Sequence, residues 1–140
     1  MKFLLTLSLT LLFVTGKCQD GSLKFQSYQK MTAYLDRDGN FKLSGGWEAS
    51  RNSIVFNTMG GTLKITKPTS ADEFVSIVKT GAYKDDGMTM AIFSAEDKAG
   101  GNVRIRILIQ DTEENLFKKF SYLYIDYKSS VDVYQIIMEK

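Results

Sequence analysis

The 140-residue sequence contains no histidine, one cysteine and one proline. Histidine is the side chain whose unperturbed pKa lies closest to neutrality, and zinc sites and Ser-His-Asp arrangements are commonly built on it. Its absence argues against a hydrolase or a metalloenzyme. The sequence also lacks Cys-x-x-Cys, Gly-x-Ser-x-Gly and a glycine-rich phosphate loop before a helix. We therefore predict a protein that is not an enzyme, with no catalytic residue, no metal site and no cofactor.

Long apolar runs are also scarce, and the one that exists lies at the N-terminus. There Lys2 is followed by an apolar run that extends to Val14. This pattern is typical of a secretory signal peptide, and the run is shorter than the roughly 20 residues that span a bilayer. A buried N-terminal helix is the alternative. We predict a signal peptide over residues 1–18 and one β-sheet domain over residues 19–140, located outside the cell or in the periplasm.

The single cysteine, Cys18, lies where the leader would be cleaved. Small Gly16 makes cleavage between Cys18 and Gln19 plausible. A lipoprotein anchored through Cys18 is the alternative, but Lys17 and Thr15 occupy positions that usually hold a small and an aliphatic residue. If Cys18 leaves with the leader, the mature chain has no disulfide and depends on packing for its stability.

An excess of one charge sign is missing as well. Removal of Lys2 and Lys17 reduces the 18 basic residues to 16, which equals the 16 acidic ones. A neutral domain with dispersed charges offers no electrostatic footprint for nucleic acid or anionic lipid. We expect no nucleic-acid partner and no stable membrane insertion after the leader is removed.

The clearest structural pattern covers Met88 to Gln110. Apolar Val103, Ile105, Ile107 and Ile109 alternate with Arg104, Arg106, Leu108 and Gln110, which predicts a half-buried strand. An alternating run from Met88 to Phe93 precedes it, and the polar segment 96–102 with paired glycines joins the two. The pattern predicts an antiparallel hairpin.

Similar runs and turns continue along the chain and predict further strands. They cover 23–35, 41–49 with a bend at Gly45-Gly46, 53–57, 62–66, 120–127 and 131–138. Residues 111–115 read as a polar loop, and 116–120 as one helical turn. Residues 70–80 are ambiguous. Ser70 to Glu73 resembles a helix cap, and Phe74, Val75, Ile77 and Val78 recur at helical spacing, whereas the β-branched residues among them favour a strand. We favour a strand from Phe74 to Thr80.

Two positions allow a local structural and a functional interpretation. Asp36, Asp38 and Asn40 match the first, third and fifth positions of a calcium loop, but Phe41 and Trp47 replace its required glycine and glutamate. A hairpin turn explains these residues with fewer demands. Trp47 is predicted to pack in the core, with the rim of a pocket as the alternative.

These elements predict an all-β fold, an antiparallel meander of about eight strands that forms a small barrel-like or sandwich sheet. The residues that could bind a ligand are two sets on its strands. Arg104 and Arg106 share one strand face and could hold a carboxylate or phosphate, or form ion pairs with Asp126 or Glu96. The second set is Tyr122, Tyr124 and Tyr134. These tyrosines could line a cavity with a polar rim, or be present only because tyrosine favours β-strands.

Three stretches carry a resemblance to a known class of proteins. They are the leader end Lys17-Cys18-Gln19, the strand Ser53 to Asn57 followed by Thr62 to Ile65, and the turn Ala95 to Lys98 before an alternating strand. Together they resemble small secreted β-proteins of unknown function from Bacteroidetes-type bacteria. The resemblance implies export and an all-β fold, and it carries over no functional residue.

Two functions are compatible with these patterns. The first is a binding or interaction module of the cell envelope or exterior, with an unknown protein partner. The second is a lipocalin-like carrier of a small apolar ligand, which would need a barrel interior lined by Met88, Met90, Phe93 and the tyrosines. A filled interior with an exposed apolar patch would favour the module, and an apolar cavity would favour the carrier.

Overall fold

The computed structural model describes residues 22–85, 87–110 and 121–139. Within these ranges the chain forms ten β-strands, and no helix there is long and apolar enough to cross a membrane. The predicted signal peptide, the polar loop 111–115 and the helical turn 116–120 lie outside the described residues. The strands are β1 (Ser22–Leu35), β2 (Phe41–Leu43), β3 (Glu48–Ala49), β4 (Ser53–Asn57), β5 (Thr62–Thr66), β6 (Ala71–Asp85), β7 (Met88–Asp97), β8 (Asn102–Gln110), β9 (Ser121–Asp126) and β10 (Ser130–Met138).

The sheet closes on itself as an eight-stranded barrel. Strands β4 to β10 follow one another as antiparallel neighbours, and β10 returns to pair with β1, from Phe25 opposite Met138 to Tyr34 opposite Ser130. The short strands β4, β3 and β2 pair in succession along the other side of β1. The prediction of an antiparallel meander of about eight strands is confirmed, and closure removes most of the free sheet edge.

Alternation along the strands places the core inside the barrel. Leu63 and Ile65 on β5 are buried while Lys64 is exposed. The rings of Phe56 and Phe93 pack with centroids 5.2 Å apart. Large aliphatic side chains complete the centre. Those with 0% exposure are Ile54, Ile65, Ile105, Ile125 and Ile136.

Strand β6 resolves the ambiguity over residues 70–80 in favour of a strand. Its pairing with β7 shifts register between Val75 and Val78, and Ser76 there has a φ of 55°. This bulge reverses the alternation, so Phe74 and Ile77 both reach the core although they are three residues apart. The β-bulge therefore explains the helix-like spacing of Phe74 and Ile77 in the sequence.

The turn after β1 is a hairpin turn, as predicted. The Oδ1 atom of Asp36 accepts the backbone N–H groups of Asp38 and Asn40, each at 2.9 Å. Gly39 supplies the positive φ of 81° that the turn requires. The Asn40 N–H is the main reason that the pKa of Asp36 is lowered. The Asp36 oxygen that would coordinate the ion in a calcium loop therefore accepts hydrogen bonds within the turn.

A buried polar network stabilises the register shift in β1 between Ser27 and Gln29. The Ser27 hydroxyl accepts the N–H of Asn52 at 2.9 Å and donates to the carbonyl oxygen of Ser50 at 3.1 Å. The Asn52 side-chain amide donates to the Ser50 hydroxyl at 2.8 Å. These bonds satisfy polar groups near the irregular pairing and fix the chain where β3 leads into β4.

Candidate functional site

The side chains Arg104 and Arg106 lie on the outside of the barrel because they alternate with the buried residues of β8. On the neighbouring strand β9, Asp126 stands directly opposite Arg104. Its Oδ2 accepts hydrogen bonds from Nε of Arg104 at 2.8 Å and from Nε of Arg106 at 2.7 Å. Its Oδ1 accepts a hydrogen bond from Nη2 of Arg106 at 2.8 Å. The predicted ion pair with Asp126 is confirmed, and it is bidentate for Arg106.

Aromatic rings continue this arrangement across the outer face. The Arg106 guanidinium carbon lies 4.4 Å from the centre of the Tyr124 ring, a cation–π contact. The Tyr124 and Tyr122 rings are 6.4 Å apart, and Trp47 follows at 6.3 Å from Tyr122. We call this set the outer cluster; its members are Trp47, Arg104, Arg106, Tyr122, Tyr124 and Asp126.

The prediction that Trp47 packs in the core is wrong. Trp47 is 43% exposed, and its ring lies against Tyr122 on the outer face. It belongs to the segment between β2 and β3, where Gly45 has a φ of 98° and the chain leaves the regular ladder. Strand alternation therefore does not determine the direction of this side chain. The paired glycines Gly45-Gly46 are the feature of the sequence that indicates a bend here.

The outer cluster carries one net positive charge, since two guanidinium groups share one carboxylate. The Arg104 side chain is 59% exposed and uses Nε for its bond to Asp126, so most of its guanidinium faces solvent. Partial burial raises the pKa of Tyr124, an effect that the positive charge of Arg106 opposes. The phenol is therefore neutral at physiological pH and can donate a hydrogen bond. The cluster offers ring faces, donors and a positive charge, which suit recognition.

An open groove of about 980 Å³ adjoins the cluster at the end of the barrel. It runs between the turn that joins β7 to β8 and the turn that joins β9 to β10. Arg104 and Asp126 belong to both the groove and the cluster. Asp97 shapes one wall, because its Oδ1 accepts the N–H groups of Ala99 at 2.9 Å and Gly101 at 2.8 Å. The groove extends the accessible surface beside Arg104.

The third predicted tyrosine, Tyr134, is separated from the other two. Its side chain points into the barrel with 0% exposure, and its hydroxyl has no hydrogen-bond partner among the described residues. Burial is the main cause that raises its pKa, and the negative charges of Asp132 and Asp72 add to the effect. Lys30 lies 5.4 Å above the ring and forms an ion pair with Asp132 at 3.5 Å. Tyr134 thus belongs to the interior and not to the outer cluster.

The residues predicted to line a carrier cavity are divided between the two faces of the sheet. Phe93 is buried inside, whereas Met88 is 39% exposed and alternation places Met90 on the same outer face. Thr89, Ala91 and Phe93 form the inward series, with Thr89 and Ala91 also buried. Of the predicted set, Phe93 and Tyr134 therefore face the barrel interior, whereas Met88 and Met90 do not.

Comparison with known proteins adds no relative. No family model, no curated protein and no solved structure matches this chain. Among the described residues, no group of three or more acidic, cysteine or histidine side chains could hold a metal ion.

Replacement of Asp126 by asparagine tests the centre of the cluster. The carboxylate is 10% exposed and accepts three bonds, so its neutralisation leaves two guanidinium groups close together without a counter-charge. We expect the free energy of unfolding to fall by about 1–2 kcal/mol in urea denaturation. The control is Asp38→Asn on the exposed turn after β1, which we expect to change stability by less than about 0.5 kcal/mol. Equal effects at the two positions would show that the pairing contributes nothing.

Proposed function

We propose that the protein is an exported, non-catalytic binding module that holds a protein partner on its outer cluster. Export is inferred from the signal-peptide pattern of residues 1–18. The observation that carries the binding proposal is the joining of Trp47, Tyr122, Tyr124 and two arginines on one outer face. Tryptophan, tyrosine and arginine are the residues most enriched among those that dominate binding energy at protein interfaces.

The barrel interior supports a module over a carrier. The described interior is occupied by a single cluster of buried side chains, including the five isoleucines with 0% exposure and the Phe56–Phe93 pair. A carrier needs an apolar cavity of a few hundred cubic ångströms. Large buried side chains occupy the described interior, whereas the outer cluster is accessible, and this supports recognition on the outside.

The charges of the cluster specify the partner further. Asp126 is already bound by both arginines, whereas much of Arg104 faces solvent beside the open groove. A partner that places a carboxylate beside Arg104 would gain a charge-assisted hydrogen bond, and an apolar or aromatic side chain would cover Trp47 and Tyr122. We therefore expect a protein surface with an acidic residue next to an apolar one.

Site-specific photocrosslinking in the exported fraction tests this function. Replacement of Trp47 by benzoylphenylalanine keeps an aromatic side chain within the proposed surface. The control carries the same group at Tyr83, which is 64% exposed on β6, three strands from β9 in the strand order. We expect a discrete cross-linked protein from position 47 and none from position 83.

The captured protein then provides the quantitative test. We expect Trp47→Ala to weaken its binding by a factor of about 30 or more, since truncation of a dominant interface residue costs at least about 2 kcal/mol. Tyr83→Ala should leave the affinity unchanged. Equal cross-linking at both positions would refute the outer cluster as the site, and a bound small molecule in native mass spectrometry would favour the carrier.

A further inference from the structure

Strand β2 leaves an open edge in the described sheet. It ends the strand order and pairs with β1 alone. All three of its residues are exposed, with Phe41 at 63% and Leu43 at 58%. Leu35, opposite Phe41 on β1, is 39% exposed. An exposed edge with apolar side chains is a template for another strand.

The register shows which main-chain groups are available. Hydrogen bonds join Asp36 to Asn40 at one end of the β1–β2 hairpin and Ser44 to Thr32 at the other, each at 2.8 Å. Hydrogen-bonded and non-hydrogen-bonded pairs alternate in an antiparallel ladder. The pair Tyr34 and Lys42 is therefore hydrogen-bonded, and the N–H and C=O groups of Phe41 and Leu43 point away from β1.

This edge is complementary to itself. A second β2 that runs antiparallel, with Lys42 facing Lys42 at the twofold axis, sets Phe41 opposite Leu43 in two equivalent pairs. Both are hydrogen-bonded pairs, because the outward main-chain groups of Phe41 and Leu43 meet. The phenylalanine and leucine side chains lie on the same outer face, so each apolar residue covers an apolar residue of the other copy.

The charge at the axis is also compensated. Two lysines opposite each other would repel, and lysine on an edge commonly prevents pairing. Here the Nζ of Lys42 lies 3.3 Å from Oδ2 of Asp36 in the same chain, and Asp36 has its pKa lowered by the backbone N–H of Asn40. The Lys42–Asp36 ion pairs of the two copies therefore meet at the twofold axis. Each pair is neutral, and each lysine can instead bind Asp36 of the other copy.

We propose that two copies of this chain associate edge to edge through β2. The association extends the sheet of one barrel into the sheet of the other and follows the twofold symmetry that most homodimers have. It makes no use of the outer cluster and does not depend on the proposed function.

Sedimentation velocity over a broad concentration range tests the proposal with the purified protein alone. We expect a reversible monomer–dimer equilibrium. The decisive variant is Leu43→Pro, because proline removes an N–H that points outward and leaves the β1 ladder intact. It should raise the dimer dissociation constant at least about tenfold, since each copy loses one intermolecular donor.

A second variant separates the side chain from the main chain. Leu43→Glu keeps the N–H and the fold but places a charge opposite Phe41 of the second copy, and it too should raise the dissociation constant. Tyr83→Ala, at an exposed residue of β6, is the control and should dimerise like the wild type. A protein that stays monomeric at every concentration, or a dimer that both Leu43 variants leave intact, would overturn the proposal.

Discussion

Truncation of Ile105 to alanine is expected to lower the free energy of unfolding by about 2–5 kcal/mol. Ile105 has 0% exposure on β8 and lies between Phe93 on β7 and Ile125 on β9. In a closely packed interior the neighbouring side chains relax only partly, so the change costs both the transfer of the removed carbons and the cavity they leave. Equilibrium unfolding in urea, with the slope held constant, measures this loss.

The same substitution at Ile92 provides the matched control. Ile92 lies on the outer face of β7, opposite Arg106, and is partly buried. Alanine there removes the same atoms without opening a cavity in the core, so we expect a loss of about 1 kcal/mol. If the two substitutions cost the same, Ile105 borders open space, and the carrier would regain support over the binding module.

The strand faces could be predicted from the sequence because alternation and hairpin pairing are local rules. Alternation on β8 separates Ile105 from Arg104 and Arg106, and pairing with the next strand brings Asp126 opposite. The ion pair follows from these two steps. Closure of the barrel is harder to predict from the sequence, because it depends on the long-range pairing of β10 with β1, which no local pattern encodes.

The composition of the candidate site required the structure. On β10, Val131, Val133 and Ile137 lie on one face and Tyr134, Ile136 and Met138 on the other. Both faces are mostly apolar and each carries one polar residue, Gln135 or Asp132, so amphipathicity does not decide which face enters the barrel. Trp47 presents a different difficulty, because a bend at Gly45-Gly46 interrupts the alternation before it. Its neighbour Tyr122 is distant in sequence and lies on a strand that does not pair with β2 or β3.

Strong alkali is expected to destabilise the fold through Tyr134, and replacement of this residue by phenylalanine should reduce that effect. An unfolded tyrosine loses its proton near pH 10. In the folded chain, burial with the nearby charges of Asp132 and Asp72 raises the pKa of Tyr134 well above that value. A group whose pKa is raised by folding contributes stability below its unfolded pKa and loses it as pH increases.

Tyr134 makes its own contribution to the slope of the free energy of unfolding against pH. Above about pH 10 the unfolded chain binds fewer protons than the folded one, so Tyr134 lowers the free energy of unfolding by about 1.4 kcal/mol per pH unit. Lysines and other tyrosines also titrate in this range, and the difference between wild type and Tyr134→Phe isolates the contribution. Urea denaturation at a series of pH values from neutral to about 12 measures it.

At neutral pH the same variant should be more stable than the wild type by about 1 kcal/mol. The phenylalanine ring fills the same space, and the substitution removes a buried hydroxyl that has no partner among the described residues. Tyr83→Phe, at an exposed ring on β6, is the control and should change neither the neutral stability nor the alkaline slope. A Tyr134→Phe variant that is less stable at neutral pH would show that the hydroxyl makes a favourable hydrogen bond, and an unchanged alkaline slope would show that it can ionise without unfolding the barrel.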